Sequence, residues 1–275
     1  MTRIEIAAER AQETFDQPPF DCWISPGGAC LAEFHRCEDK VLMRFEGEAD
    51  FLVAPAADQV TAIPCAGIAD GHIRKLLSNS VLPALGNHRG HLFLHGSANA
   101  IGDGAVCFLG VSRSGKTTLA GALAKAGNPY LTEDAIELRE GHMVQPRPDG
   151  LRLFHDSAAF MGAPKPQDAE DGKITLDGLP AATAAKPLSA IFVLGSDPDA
   201  ALDISRQGAG EALAAILPHA FVLDVEDRSA MRGHFERMAD LAARVPIHTL
   251  NYPRDYTALP EVIAAIIGAT RRSTP

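Results

Sequence analysis

From residue 110 the chain reads Gly-Val-Ser-Arg-Ser-Gly-Lys-Thr-Thr, which fits G-x-x-x-x-G-K-[ST] at every fixed position. More than any other feature, this run limits what the chain can fold into. It requires a strand ending at Gly110, a tight turn, and a helix beginning at the lysine. Both flanks comply. Ala105 to Leu109 is an apolar run, and Leu119, Ala122, Leu123 and Ala126 recur at helical spacing before Gly127 and Pro129 close the helix. The residue types also carry a chemistry. Glycines let successive backbone N–H groups converge on phosphate oxygens, and the helix start adds the positive end of its dipole. Gly110, Ser112, Arg113, Ser114, Gly115, Lys116, Thr117 and Thr118 are therefore the candidate contacts for ATP or another nucleoside triphosphate. Lys116 is expected to reach the β- and γ-phosphates, and the Thr117 hydroxyl to ligate Mg²⁺.

Two apolar runs flank Gly102-Asp103-Gly104, a hairpin signal, so the strand feeding the loop has a partner that carries His95. On the residues alone, His95 is either a neighbour of the phosphates or a hydrogen-bonded structural histidine. A phosphate loop also calls for an acid at a strand end. Three strands offer one: Tyr130 to Leu138, which contains Glu133 and Asp134; Ile191 to Leu194, followed by Asp197; and Phe221-Val-Leu-Asp224. Pattern favours Asp134 and leaves the other two open.

The first 70 or so residues read as short strands and turns, with apolar clusters at Phe20–Trp23, Val41–Phe45 and Phe51–Val53. They suggest a small N-terminal β-rich domain over 1–72 and a catalytic domain over 73–275. Residues 72–88 look partly helical, bent or ended by Pro83. The stretch 141–187 is rich in Pro, Gly and charge and reads as loops and short strands, a candidate flap carrying Arg147, Arg152, Lys165 and Lys173. Strands are expected at 188–194, 220–224 and 245–250, and helices at 208–217, 229–244 and 258–270. The 229–244 helix should bury Met231, Phe235, Met238 and Ala242. Strands alternating with helices imply an α/β core.

Composition narrows the partners. The chain has 275 residues and a formal net charge of -10, from 35 acids against 25 Lys and Arg. Such a surface repels phosphate backbones, so no nucleic-acid partner is expected. No apolar run nears the ~18 residues of a membrane span, and the charged N-terminus has no apolar signal-peptide core. Five cysteines without a CxxC pair suit a reducing cytoplasm. His35 and Cys37 lie near Cys30, which raises a metal site, but the spacing fits no zinc pattern and the thiols read as buried and structural.

The string LHGSANAIGDGAVCFLGVSRSGKTTLAGALAKAGNPYLTEDAIEL resembles the catalytic core of HPr kinase/phosphorylase, where an HG pair precedes the phosphate loop and two acids follow its helix. The whole layout, including RVPIHTLNYPRDYTALPEVIAAII, is similar to HPr-kinase-like proteins of peptide-biosynthesis clusters, among them lasso peptide kinases. The resemblance implies an α/β fold: a P-loop-containing HPr-kinase-like core with a small N-terminal β-rich domain. It implies an ATP- and Mg-dependent kinase acting on a serine of a peptide or protein, such as the C-terminal serine of a lasso precursor. It also makes His95, Glu133 and Asp134 catalytic, with Asp134 or Glu133 activating the hydroxyl and the other near Mg²⁺. The family usually has two aspartates, and Glu133 departs from that, so Asp134 is the favoured acid and metal ligand. Arg113-Ser114 stands where small residues are frequent, and Arg113 is expected to face solvent. Competing readings are a nucleotide-dependent switch or assembly factor, a true HPr(Ser) kinase/phosphorylase, and a small-molecule kinase. A switch requires neither His95 nor the acid pair.

Overall fold

The computed structural model describes residues 2–25, 27–147, 149–162, 173–176 and 178–273. It is a mixed α/β protein with several sheets. The chain divides into two compact units: residues 1–93 with 221–237, and residues 94–220 with 238–275. The expected boundary at residue 72 falls inside the first.

The first unit is built on six strands, β1 (Arg3–Ile6), β2 (Asp21–Ile24), β3 (Cys30–Cys37), β4 (Lys40–Phe45), β5 (Ala49–Val53) and β6 (Gln59–Pro64), in the order β1-β6-β5-β4-β3-β2. Only the β1–β6 pairing is parallel. Along β6, Val60, Ala62 and Pro64 are buried and their neighbours are not, the period-two pattern of a half-buried strand. Arg44 on β4 and Asp50 on β5 are directly opposite, both buried, and joined by two 2.8 Å hydrogen bonds, which is how these charges are tolerated inside. Helices α1 (Asp70–Leu76) and α2 (Leu82–His88) are joined by a π-helical turn over Leu77–Val81. Pro83 lies just after the π-helical turn, so the N–H it lacks coincides with the break in the α-helical bonding pattern. The cysteine expectation is corrected: Cys30 is exposed, Cys37 is half-buried, and Cys107 alone of the five is buried.

The second unit is ordered around β7 (Leu92–Ile101), β8 (Gly104–Leu109), α3 (Lys116–Lys125), β9 (Tyr130–Thr132), β10 (Ala135–Arg139), β11 (Met143–Val144), β12 (Leu151–Phe154), α4 (His155–Phe160), β13 (Lys173–Leu176), β14 (Lys186–Leu194), β15 (Asp203–Arg206), α5 (Ala209–Ile216), the end of α6 (Arg228–Arg244, of which 228–237 belong to the first unit), β16 (Ile247–Asn251) and α7 (Leu259–Ser273). Its sheet runs β11-β10-β7-β8-β14-β16-β15, with β9 also on β7. All six residues of β8 are buried, which explains its unbroken apolar run. Phe108 and Phe192 stack in a core closed by Leu119 and Leu123 of α3 and Val262 and Ile266 of α7.

Three expectations are corrected. Tyr130 to Leu138 is two strands, because Asp134 takes a left-handed backbone (φ 61°) that breaks the ladder. Residues 221–224 form no strand. Beyond the single bridge of Ala220 to Leu94, the Phe221 carbonyl is taken by the Asn87 side chain in place of a neighbouring strand. On α6, Phe235 is exposed, and the buried positions are His234, Met238 and Leu241.

Candidate active site

Strand register assembles the site. β14 runs parallel to β8 and β16 parallel to β14, with Leu109 beside Val193 and Leu194 beside Leu250. The three strands therefore end on one edge, where open α/β sheets bind ligands. Gly110, Gly195 and Tyr252 lie just past those ends. β7 pairs antiparallel with β8, matching Gly96 to Leu109, so His95 arrives at the loop from the other direction. β9 pairs with β7 through Ala98 and Thr132, which delivers Glu133 and Asp134 to the same place. A Cβ at Gly96 would lie 2.5 Å from the Phe108 carbonyl oxygen, so only glycine allows this close approach.

The loop from Gly110 to Gly115 joins β8 to α3. Gly115 has φ 94°, and a Cβ there would lie 2.7 Å from the Tyr252 hydroxyl. The Ser114 hydroxyl is buried in the loop with no hydrogen-bond partner. Lys116 is only 8% exposed, and its Nζ donates to the carbonyls of Gly110 (2.7 Å) and Val111 (3.0 Å). Burial lowers its pKa to about 8, a shift that Asp134 and Glu133 oppose.

His95 Nδ1 lies 3.0 Å from the Asp134 carbonyl oxygen. A carbonyl only accepts, so Nδ1 carries the proton and Nε2 is the acceptor atom of the ring. Burial, then Lys116, lowers the His95 pKa to about 4, which keeps the imidazole neutral. The Asp134 carbonyl also accepts the Gly96 N–H at 3.2 Å, pinning the acid pair to β7. Glu133 Oε2 accepts the Arg152 N–H at 2.6 Å, the Thr117 hydroxyl bonds to the same side chain, and Oε1 is buried with no hydrogen-bond partner. Burial, then the neighbouring Asp134, raises the Glu133 pKa to about 7.

These groups open on a cleft of about 450 Å³ lined by His95, Ser112, Arg113, Gly115, Lys116, Thr117, Thr118 and Asp134. Gly110, Ser114 and Glu133 are not among its lining residues. Arg113 is exposed yet lines the cleft, with its guanidinium 5.1 Å from the centre of the Phe154 ring. Of the basic residues in 141–187, Arg152 and Lys173 line the cleft on the β12–β13 ribbon, where Phe154 pairs with Lys173. Arg147 donates its N–H to Leu131 instead, and Lys165 lies outside the described residues. The two rival acids are elsewhere. Asp224 forms a two-pronged pair with Arg36 (2.6 Å each) in the first unit, and exposed Asp197 caps a turn by accepting the Asp199 N–H.

Sequence reasoning missed one whole wall: Asp156 and Ser157 of α4, and Tyr252, Arg254 and Tyr256 after β16. The Thr118 hydroxyl donates to Ser157 (2.9 Å), which shares a 3.1 Å bond with the Tyr256 hydroxyl, itself donating to Asp156 (3.0 Å). It also missed His219, whose neighbour Ala220 bridges to Leu94 and whose pKa is lowered to about 4 by burial and then by Lys116 and His95. The available signal for the C-terminal part was Tyr252-Pro-Arg-Asp255, a turn-forming and charged stretch directly after β16.

No family model matches the chain. No curated protein matches it either. Among solved structures, the Hpr(Ser) kinase/phosphatase from Coxiella burnetii matches at 11% identity, covering 66% of this chain and 99% of that one, with a TM-score of 0.32. So loose a superposition carries no argument about function, which has to come from the chain's own residues. Among the described residues, no helix is long and apolar enough to cross a membrane.

Proposed function

We propose that the chain is a Mg²⁺-dependent P-loop kinase that moves the γ-phosphoryl group of ATP to a serine hydroxyl of a peptide or protein. The observation that carries this reading is the meeting of Lys116, Thr117, Asp134 and His95 in one cleft. A nucleotide switch needs the first two. An acid and a neutral imidazole beside them are what a hydroxyl acceptor needs. In this reading the fold is an HPr-kinase-like core with a small β-rich N-terminal domain. The acceptor is the C-terminal serine of a lasso-type precursor peptide, in line with the resemblance of residues 94–138 and 244–267.

Catalysis is then mostly positioning and charge stabilisation. Loop N–H groups and Lys116 hold the β- and γ-phosphates. The serine oxygen attacks the γ-phosphorus, the bond to the β,γ-bridging oxygen breaks, and the serine proton passes to the Asp134 carboxylate. A carboxylate is a weak base toward an alcohol, so this transfer proceeds only as the new bond forms. The single hydroxyl hydrogen is shared at first between the Asp134 carboxylate and His95 Nε2, which aims the serine oxygen, and passes wholly to the carboxylate as the new bond forms. The residues also suit the metal. Glu133 Oε1 is buried without a partner and the Thr117 hydroxyl lies against the same carboxylate, an oxygen-only donor set of the kind Mg²⁺ takes. Thr117 and Glu133 would hold the ion, leaving Asp134 to take the proton; when bound, the ion would draw charge from the β- and γ-oxygens.

The test is mass spectrometry of peptides with terminal or internal serines after incubation with ATP and Mg²⁺. The expected result is one phosphate on serine, absent with Lys116→Ala. ATP hydrolysis without any phosphopeptide would return the chain to the switch reading.

A further inference from the structure

The C-terminal strand brings a second cation to the phosphate loop. Arg254 follows β16, whose parallel register carries the chain past the loop. A Cβ at Gly115 would lie 3.9 Å from Arg254 Cδ, so the side chain passes directly over the turn that starts α3. The guanidinium is pinned in place. Its Nη2 donates to the Gly195 carbonyl at 2.6 Å, Nη1 donates to the Tyr252 carbonyl at 3.3 Å, and Cζ lies 3.9 Å from the centre of the Tyr252 ring. Tyr252 is itself buried against Gly115, so the support is as rigid as the loop.

The charge on this fork is not cancelled. Among the described residues no carboxylate pairs with Arg254, and the adjacent Asp255 side chain accepts the Thr257 N–H instead. Carbonyl dipoles and a ring face offset only part of the cost of holding a half-buried cation. Lys116, the residue after Gly115, likewise has two carbonyls as its hydrogen-bond partners, with Asp134 and Glu133 offsetting only part of its burial. Two fixed cations at one helix start define a place for an anion with several charged oxygens. A guanidinium has five N–H donors, so donors remain for phosphate oxygens after two are given to carbonyls.

We propose that Arg254 is a polyphosphate-binding residue, a second fixed cation that meets the oxygens of the nucleoside triphosphate together with Lys116. The proposal rests on the kinase reading of the cleft and adds a residue to it. Because the guanidinium is held before ligand arrives, little ordering entropy is lost on binding, and the charge acts at full strength in the transferring state.

The test is an arginine footprint on the unmodified chain. Phenylglyoxal labelling at Arg254 is read by mass spectrometry with inorganic tripolyphosphate, ATP or adenosine present. Tripolyphosphate and ATP should both protect Arg254, and adenosine should not. In parallel, Arg254→Gln should weaken ATP binding by about tenfold or more, with Arg254→Lys recovering part of the loss. If Arg254→Gln does not fold, the footprint still decides. Protection by adenosine and ATP without protection by tripolyphosphate would mean that Arg254 stacks on the base, and the proposal is overturned. ATP binding that is lost with Lys116→Ala but leaves Arg254 labelled also overturns it, while the kinase reading stands. No ATP binding by the wild-type chain sinks the kinase reading and this proposal together.

Discussion

Lys116 is a buried cation whose two hydrogen-bond partners are the backbone carbonyls of its own loop. Removing it relieves a desolvation cost as well as a binding group, so Lys116→Ala should keep or raise the melting temperature. Phosphoryl transfer should vanish in the same protein, as read by circular dichroism and an ATP-consumption assay. A full rate would end the P-loop reading. The acids separate by their partners. Asp134 sits in the cleft in a left-handed conformation that asparagine also tolerates, so Asp134→Asn should fold and bind ATP but lose about a hundredfold or more in turnover. Asp224 pairs with Arg36 in the first unit, and Asp224→Asn should leave turnover near wild type. If the sensitivity falls on Asp224, the acid has been assigned wrongly. Glu133 bears on pH. Its folded pKa of about 7 lies above the ~4.3 of an unfolded glutamate. Between those values the folded chain keeps a proton that the unfolded chain has lost. Stability from this group is therefore present at low pH, falls as pH rises through about 7, and is flat beyond. Glu133→Gln cannot titrate, so its melting temperature should gain on wild type across roughly pH 5 to 7. A constant difference over that range would mean that Glu133 is ionised throughout.

Among the elements, β7 does the most for the site, because it pairs with both β8 and β9 and so sets the distance between loop and acids. Its weakest tolerance is Gly96, where any side chain would meet the Phe108 carbonyl and then Leu109 and Ile136. Gly96→Val should cost about 3 kcal/mol or more in chemical denaturation, since overpacking and a lost strand pairing add. Unchanged stability would show that β7 can move away from β8. The break between β9 and β10 belongs to the same scale. Tyr130 to Leu138 has the composition of one strand, yet the bonds of the Asp134 carbonyl to Gly96 and His95 hold that residue in a left-handed turn. Helix α6 makes a similar point. Its 3.6-residue period is plain in the sequence, but which stripe faces inward depends on what packs against it, and Phe235 is left outside.

At the scale of the whole molecule, all the groups assigned to transfer belong to the second unit. Hydrogen exchange with ATP and Mg²⁺ should slow amides around 94–96, 110–118, 133–134 and 152–154, and leave the six-stranded sheet of the first unit unchanged. Protection spread through residues 30–64 would assign nucleotide binding to the wrong unit. The two-pronged pair of Arg36 with Asp224 is the corresponding mark of the first unit: it joins residues 188 positions apart and explains why an acid with the local look of a catalytic one is structural.

Local chemistry was enough for the loop, its strand and its helix. Gly110, Gly115 and Lys116 act through backbone freedom and charge at fixed spacing, and the hairpin at Gly102 to Gly104 is a two-strand affair; both are written in contiguous residues. The same holds for α7, whose apolar stripe and early Pro260 need no partner to be recognised. The opposite wall of the cleft was decided only by tertiary structure. Arg254 comes to lie over Gly115 because three parallel strands end in register, and register between distant strands depends on which faces bury together. The pKa values of Lys116, His95 and Glu133 have the same origin, since burial is the leading cause of each shift and burial belongs to the packed chain.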